Sequence, residues 1–299
     1  MIKKLEKRIS EIAVESLGLL NKYNLEEFVP IVIGKKKIGW IYKDNLDHLI
    51  SNSLLDEKEK QTSVKLNLQE AESFFQKSYK ELQKHKLIRT DVHEQCPVFY
   101  TNSLQPRLNF SFSSKFCDNN LFNVQRSILG FFGLPAYGVH LNGWKLKGKN
   151  VYFLLGKRSK NIKKFPGLYD NLVAGGVVSN LSLNKNLAKE SYEEASITEK
   201  RIKNAKLASV ISYFHIRNNC FSPSVIISYD LEINNNEKFK NLDGEVEGFD
   251  YFNIDQIFEL AEKRKIKPNS MIPIIDFLVR KNFKVFSENA LKQIKKFLM

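Results

Sequence analysis

The sequence predicts an α+β protein built as two units, and three observations carry that prediction. The chain has 299 residues, room for two domains at roughly 100–200 residues each. Segments with helical spacing of apolar residues occur together with short alternating segments of strand type. Near residue 120 the pattern changes: the polar CDNN separates short mixed elements from long apolar strands. Hydrophobic residues make up 42% of the chain, with 22 Phe, so a packed core forms and global disorder is excluded.

The first unit is expected over residues 1–120. Ile2, Leu5, Ile9, Ile12, Leu17 and Leu20 follow the period of an amphipathic helix. FVPIVIG and IGWIYK flank GKKK and predict a hairpin around Gly34. DNLDHLI reads as a short helix and TSVKLNL as a strand. Asn67 and Glu70 have capping-box spacing before the helix QEAESFFQKSYKELQKHKLI. CPVFYT and RLNFSFSS read as strands, and FCDNNLFNVQRSIL as a crossover leading into a helix. His85 and His93 lack an acid–base partner or ligand spacing, so this unit carries no catalytic constellation of its own.

Several function classes drop out. No stretch approaches 18 uninterrupted apolar residues, so no transmembrane helix is expected. Glu6, Glu11 and Glu15 break any signal or transit pattern at the N-terminus. Cys96, Cys117 and Cys220 are too few and too scattered for a disulfide framework or zinc site. A reducing, cytoplasmic setting is the expectation. The net charge of +14 is spread along the chain without an aromatic-interleaved basic block, so nucleic acid is not the expected partner.

Chemistry concentrates in residues 165–197, FPGLYDNLVAGGVVSNLSLNKNLAKESYEEASI. A strand, LVAGGVV, leads through SNLSLN into a helix, NKNLAKESYEEA. Glu190, Glu193 and Glu194 stand at i, i+3 and i+4 and share a face; Leu187, Ala188, Ser191 and Ala195 are expected to form the opposite, packing stripe. Three like charges together call for a cation, and Mg²⁺ binds through such carboxylates and substrate phosphates. A solvated helix face is the alternative. Gly175–Gly176 lets backbone approach a ligand closely.

This passage resembles the box of the Nudix hydrolases. Counted from Gly175, Glu190 falls on the Glu after the box arginine, Glu193 and Glu194 on the Glu-Glu pair, and Ile197 on the final apolar position. Leu181, Lys189 and Ser196 depart, standing where the box has Glu, Arg and Gly. YGVHLNGW, PGLYDNLVAGG, EEAS, SYF, DGEVE and KPN, together with IGWIYKDN, resemble the subfamily associated with thiamine pyrophosphokinase and its N-terminal companion domain. The resemblance spans roughly residues 20–285. It implies a Nudix α/β/α sandwich with a mixed sheet over 121–285, followed by a helical tail over 286–299. It also implies Mg²⁺-dependent cleavage (Mn²⁺ in its place) of thiamine diphosphate or its oxidised forms to the monophosphate. The implied metal ligands are Glu190, Glu193 and Glu194, joined by Glu245 and Glu247. A carboxylate among Glu190, Glu193 and Glu245 would accept the proton of the attacking water.

The flanking residues can be read on their own. Arg158, Lys160, Lys163 and Lys164 follow a strand and precede the glycines; Arg158 and Lys163 are candidate clamps for a diphosphate. Asp243–Gly244 reads as a turn into a strand on which Glu245 and Glu247 alternate onto one face. His140 is a candidate substrate contact, with a packed strand histidine as the alternative. Trp144, Tyr213 and Phe214 read as core aromatics, and Asn269 as a helix cap. The alternative functions are hydrolysis of another, nucleoside-linked diphosphate and a non-catalytic Nudix-like binding module.

Overall fold

The computed structural model describes residues 2–20, 24–52, 54–55, 63–89, 93–100, 120–217 and 219–298. Cys117, RLNFSFSS and the first four residues of the expected crossover, 116–119, lie outside them. The expected hairpin is present, with β1 (Phe28–Ile33) antiparallel to β2 (Lys36–Tyr42). After α2 (Lys43–Ser51), β3 (Val64–Leu66) pairs parallel with β1. Asn67 caps α3 (Leu68–Lys84) by accepting from the Gln69 N–H at 3.2 Å. β4 (Gln95–Val98) pairs with β5 (Phe122–Gln125), so FNVQ is a strand, and only one 3₁₀ turn, Arg126–Ile128, follows it instead of the expected helix. Phe75, Phe122 and Phe132 interlock at the centre of this core, with ring centroids 5.0–5.5 Å apart.

Two findings redraw the expected limits of this unit. Its core continues through Ile128, Phe131 and Leu134, past residue 120. The Trp40 N–H donates to Phe132 O at 2.9 Å, which pins that segment to β2. Conversely, α1 (Ile2–Leu19) leaves the unit: Ile9, Ile12, Ala13 and Leu17 pack with the C-terminal helices. A stripe of that width needs an apolar partner, and Ile272, Ile275, Phe286, Ala290 and Ile294 supply it. The tail helix α8 (Glu288–Leu298) is therefore part of the same core.

The second unit is organised by a seven-stranded mixed sheet. Its path runs β10 (Lys206–Arg217), β11 (Cys220–Glu232), β6 (Ala136–Lys147), β7 (Asn150–Arg158), β12 (Val246–Asn253). β6 and β11 are parallel and the other neighbours antiparallel. β6 is long enough to serve two partners: residues 143–147 pair with β7, and residues 138–141 with β9 (Val173–Gly176). The short β8 (Tyr169–Asp170) pairs with β7. On one face lie α4 (Leu183–Ala195) and α5 (Glu199–Ile202), packed on Val139, Leu141, Leu154 and Ile227. On the other lie α1, α6 (Ile254–Glu262), α7 (Met271–Arg280) and α8, packed on Phe153, Ile211 and Ile226. This is the expected sandwich with a mixed sheet. Tyr213 and Phe214 are buried, and the partly buried Trp144 packs on the core with its ring tilted 55° against Phe277, centroids 5.2 Å apart. A cluster of Phe28, Phe214 and Phe221 joins the first hairpin to β10–β11. No helix among the described residues is long and apolar enough to cross a membrane.

Candidate functional site

The helix that carries the three glutamates starts with Ser182, whose side chain accepts from the Lys185 N–H at 3.3 Å. It ends at Ser196, which adopts a left-handed conformation, φ 55°. Glycine adopts that region without strain, and Ser196 offsets the strain with a hydroxyl hydrogen bond to Lys240 O. The expected division into a carboxylate face and a packing face is corrected here. Glu190 and Glu194 are buried together with Leu187, Ser191 and Ala195, at 9% and 7% exposure for the two acids. Only Glu193 is well exposed, its side chain at 39%. Positions i and i+4 of a helix share one stripe, and here that stripe presses on β9.

Gly175 makes this possible. A Cβ there would lie 2.1 Å from Glu190 Cδ, so the carboxyl group occupies the space of the missing side chain. Glu194 reaches the same strand and accepts from the Ala174 N–H at 3.0 Å. Burial, the largest influence, pushes Glu194 up to about 8, and the charges of Asp170, Glu190 and Glu245 add to it. Burial likewise raises Glu190, with Glu193 and Glu94 adding and Lys189 opposing. Lys189 is the cation among the acids, 3.1 Å from Glu190 and 2.8 Å from Glu193. Burial works against its charge, but both partners raise its pKa above the usual lysine value.

A different side chain braces the loop. Asn186 is fully buried. Its Oδ1 accepts from the Val178 N–H at 2.9 Å, and its Nδ2 donates to Leu181 O at 3.0 Å and Ser182 O at 3.2 Å. Loop 178–182 is thus tied to the helix with Leu181 and Lys189 in place of the box Glu and Arg. Sequence reasoning missed Asn186. The available signal was an amide three residues inside a helix, at a position otherwise suited to an apolar side chain.

The other candidates separate. Arg158 is not a free clamp: it donates to Asp170 Oδ2 at 3.1 Å and to Lys164 O, and its side chain is 14% exposed. Lys163 is exposed on the adjoining loop. His140 is 4% exposed, and its Nδ1 lies 2.8 Å from Asn171 Oδ1. Burial, then Lys267, pushes the imidazole down to about 4. Asn171 continues to Asn142, and Asn142 to Asp230. Asp170 anchors this network through Lys267 at 2.8 Å, Arg158 and the Ser270 hydroxyl. Asn269 does not cap α7; it donates to Tyr213 Oη at 3.0 Å.

Glu245 and Glu247 do not share a strand face. β12 begins at Val246 with a register shift between Val246 and Gly248, and a bulge of this kind resets the alternation. Glu247 accepts from the Lys160 N–H at 3.0 Å, 4.0 Å from Lys157 Nζ. The charge of Glu245 reaches Glu194. An open cavity of about 340 Å³ lies beside Glu247, lined by Phe239, Lys240 and Phe249.

The donor chemistry of α4 fits a hard divalent ion: oxygen ligands only, two of them buried, Glu190 beside Lys189 and Glu194 hydrogen-bonded to the Ala174 N–H. As placed, the side chains do not surround one point. Among the described residues no group of three or more His, Cys, Asp or Glu converges on a metal position. Lys189 draws Glu190 and Glu193 together, and Glu194 turns to β9.

No family model matches the chain. It is 31% identical over 274 residues to "Nudix hydrolase 20, chloroplastic" of Arabidopsis thaliana, covering 87% of this chain and 69% of that protein. To "Nudix hydrolase 24, chloroplastic" of the same plant it is 30% identical over 273 residues, covering 86% and 68%. An uncharacterised protein of Saccharomyces cerevisiae is 32% identical over 174 residues, covering 54% and 51%. Among solved structures, the NUDIX domain of Shewanella oneidensis NrtR complexed with ADP ribose gives a TM-score of 0.40 at 12% identity, covering 50% of this chain and 90% of that one. A C. elegans Ap4A hydrolase binary complex gives 0.36 at 14% identity, covering 48% and 98%. With two relatives at 30% identity or more over most of both chains, the protein belongs to the Nudix hydrolase family and is a hydrolase of pyrophosphate bonds.

Proposed function

We propose that the protein cleaves the diphosphate of thiamine diphosphate, or of its oxidised analogues, to the monophosphate with Mg²⁺. The observation that carries the hydrolytic part is the burial of Glu190 and Glu194 against the glycine strand, Glu190 beside Lys189 and Glu194 with no cation among the charges that act on it. The substrate part is supported by the strings YGVHLNGW, PGLYDNLVAGG and KPN, which resemble the thiamine-linked subfamily.

Glu190, Glu193 and Glu194 would hold Mg²⁺ or Mn²⁺, with Glu245 and Glu247 as further oxygen donors nearby. Bound there, the ion would neutralise phosphate charge and lower the pKa of a water. The chain's own part follows from its geometry. Gly175 admits the Glu190 carboxyl group to the strand. Asn186 fixes the loop, so α4 meets β9 in one register. Glu245, exposed and close enough for its charge to reach Glu194, accepts the proton of the attacking water. The water oxygen bonds to one phosphorus, the bridging P–O bond breaks, and the departing phosphate carries off the electron pair. Lys163 on the basic loop 160–164 contributes positive charge towards the diphosphate.

A hydrolysis screen read by chromatography of the products, with and without Mg²⁺, tests this. Thiamine diphosphate or its oxo form is expected to be cleaved faster than ADP-ribose, dinucleoside polyphosphates or capped RNA. Equal rates on ADP-ribose and thiamine diphosphates would overturn the substrate and leave hydrolysis of another diphosphate. One observation favours the second reading, a non-catalytic module: Lys189 already neutralises Glu190 and Glu193. No Mg²⁺-dependent cleavage of any of these compounds would favour it.

A further inference from the structure

The N-terminal unit reaches the glycine strand. Gln95 O, on β4, accepts from the Ser179 N–H at 2.8 Å, just beyond β9. At the end of β5, Arg126 extends onto Gly176, where a Cβ would lie 2.1 Å from Nη1. Successive strand residues face opposite sides. Gly175 therefore seats Glu190 on one face of β9, and Gly176 seats Arg126 on the other. His140, paired with Ala174, lies on the Arg126 side.

Arg126 also has buried donors that are left unused. Its Nε lies 2.8 Å from Glu94 Oε2 without a well-directed hydrogen bond, and Nε and Nη2 are buried without a hydrogen-bond partner. The thiol of Cys96 lies alongside and is a weak acceptor. By contrast, Arg158 is held by Asp170 and Lys164 O, Arg201 by Glu237 and Glu232 O, and Arg280 by Asp276 and Asp230. Buried N–H groups are ordinarily paired. The Arg126 side chain keeps 30% exposure, so a ligand can reach it.

We propose that Arg126 is a substrate-binding residue supplied by the N-terminal unit, taking a phosphate of the diphosphate across the glycine pair from Glu190. A guanidinium presents a planar fork that matches phosphate oxygens bidentately. Gly176 leaves room for the guanidinium itself. The proposal rests on α4 being the hydrolytic face, and it gives the N-terminal unit a direct part in the reaction.

The test uses the full-length protein, with Arg126→Met and Arg126→Lys beside Glu193→Gln. Steady-state kcat and KM are measured on the best diphosphate of the screen, inorganic pyrophosphate binding by calorimetry, and folding by circular dichroism and thermal melts. Losing a charge-assisted pair is expected to raise KM and weaken pyrophosphate binding about 10- to 100-fold. For Arg126→Met, kcat stays within about threefold, and Arg126→Lys recovers part of the loss because it keeps the charge but not the fork. Glu193→Gln lowers kcat instead. A mere brace between the units would lower thermal stability and leave KM unmoved, and that result overturns the proposal. So does pyrophosphate affinity within twofold of wild type in a folded Arg126 variant. If Arg126→Met does not fold, Arg126→Lys decides by the same KM criterion. If wild type hydrolyses nothing but binds pyrophosphate through Arg126, the proposed function falls and Arg126 stands.

Discussion

Asp170 and Glu194 are both nearly inaccessible, at 4% and 7% exposure. Asp170 meets Lys267, Arg158, the Ser270 hydroxyl and the Asn171 N–H. Glu194 has the Ala174 N–H. Burial opposes the charge of both. Lys267 and Arg158 overcome it for Asp170 and hold that carboxyl well below the usual range, whereas Glu194 is pushed up to about 8. The first region spends its charges on itself and fixes β8, β7 and the turn before α7. In the second region burial disfavours the Glu194 charge, and an outside cation would favour the carboxylate there as Lys267 and Arg158 do for Asp170.

The sharpest way to break this comparison is to neutralise the acids of the second region. Glu193→Gln and Glu194→Gln are expected to cut turnover by about 10²–10⁴-fold and to abolish stabilisation by Mg²⁺ in thermal melts. Metal-free stability should hold, because the amide oxygen introduced by Glu194→Gln would still accept the Ala174 N–H. Unchanged turnover in Glu193→Gln would remove this helix face from the mechanism.

Asp170→Asn should do the reverse. It leaves Arg158 and Lys267 buried without their anion, which costs about 3–5 kcal/mol. Urea unfolding would show a large loss of stability, with catalytic rate per folded molecule much less affected. Equal destabilisation by Asp170→Asn and Glu194→Gln would erase the distinction.

Gly175→Ala sharpens the second region alone. The added methyl meets the Glu190 carboxyl group, and either the helix or the strand must yield, at about 1–3 kcal/mol. Activity should fall more than stability, because Glu190 is displaced. Lys189→Arg should be close to neutral in both, since the charge beside Glu190 and Glu193 is kept and Asn186 holds the loop. Thermal melts and turnover of the two variants, measured together, check both statements.

The legible part of the molecule was its periodicity. The hairpin at β1–β2, the Asn67 cap and the helix bearing Glu190 follow from spacing and turn residues, which are local. The packing of α1 was not legible, since an amphipathic stripe does not say which core it joins. Arg158 looked like a clamp because its partner Asp170 lies 12 residues away on another strand. Arg126 stood in an unremarkable VQRS and acquires meaning only when β5 meets β9. Glu245 and Glu247 were assigned one face because alternation was assumed through a bulge that spacing does not reveal.

His140 gives the finest test of the first region. Its imidazole is neutral in the fold, pushed down to about 4 from 6.5 by burial and by Lys267, with Asp170 pulling the other way. The Asn171 hydrogen bond acts with Asp170, and the Arg158 charge acts with Lys267. Between those two pH values the unfolded chain binds a proton that the folded chain does not. Stability contributed by this group is therefore complete above 6.5 and is lost as pH falls towards 4. His140→Gln removes the titration while offering Asn171 a donor of similar reach. The difference in unfolding free energy between wild type and His140→Gln should shrink by about 1 kcal/mol between pH 6 and pH 5, and stay constant above pH 7. Parallel stability curves across that interval would mean that the imidazole is hydrated in solution, and that the network around Asp170 is more open than its geometry indicates.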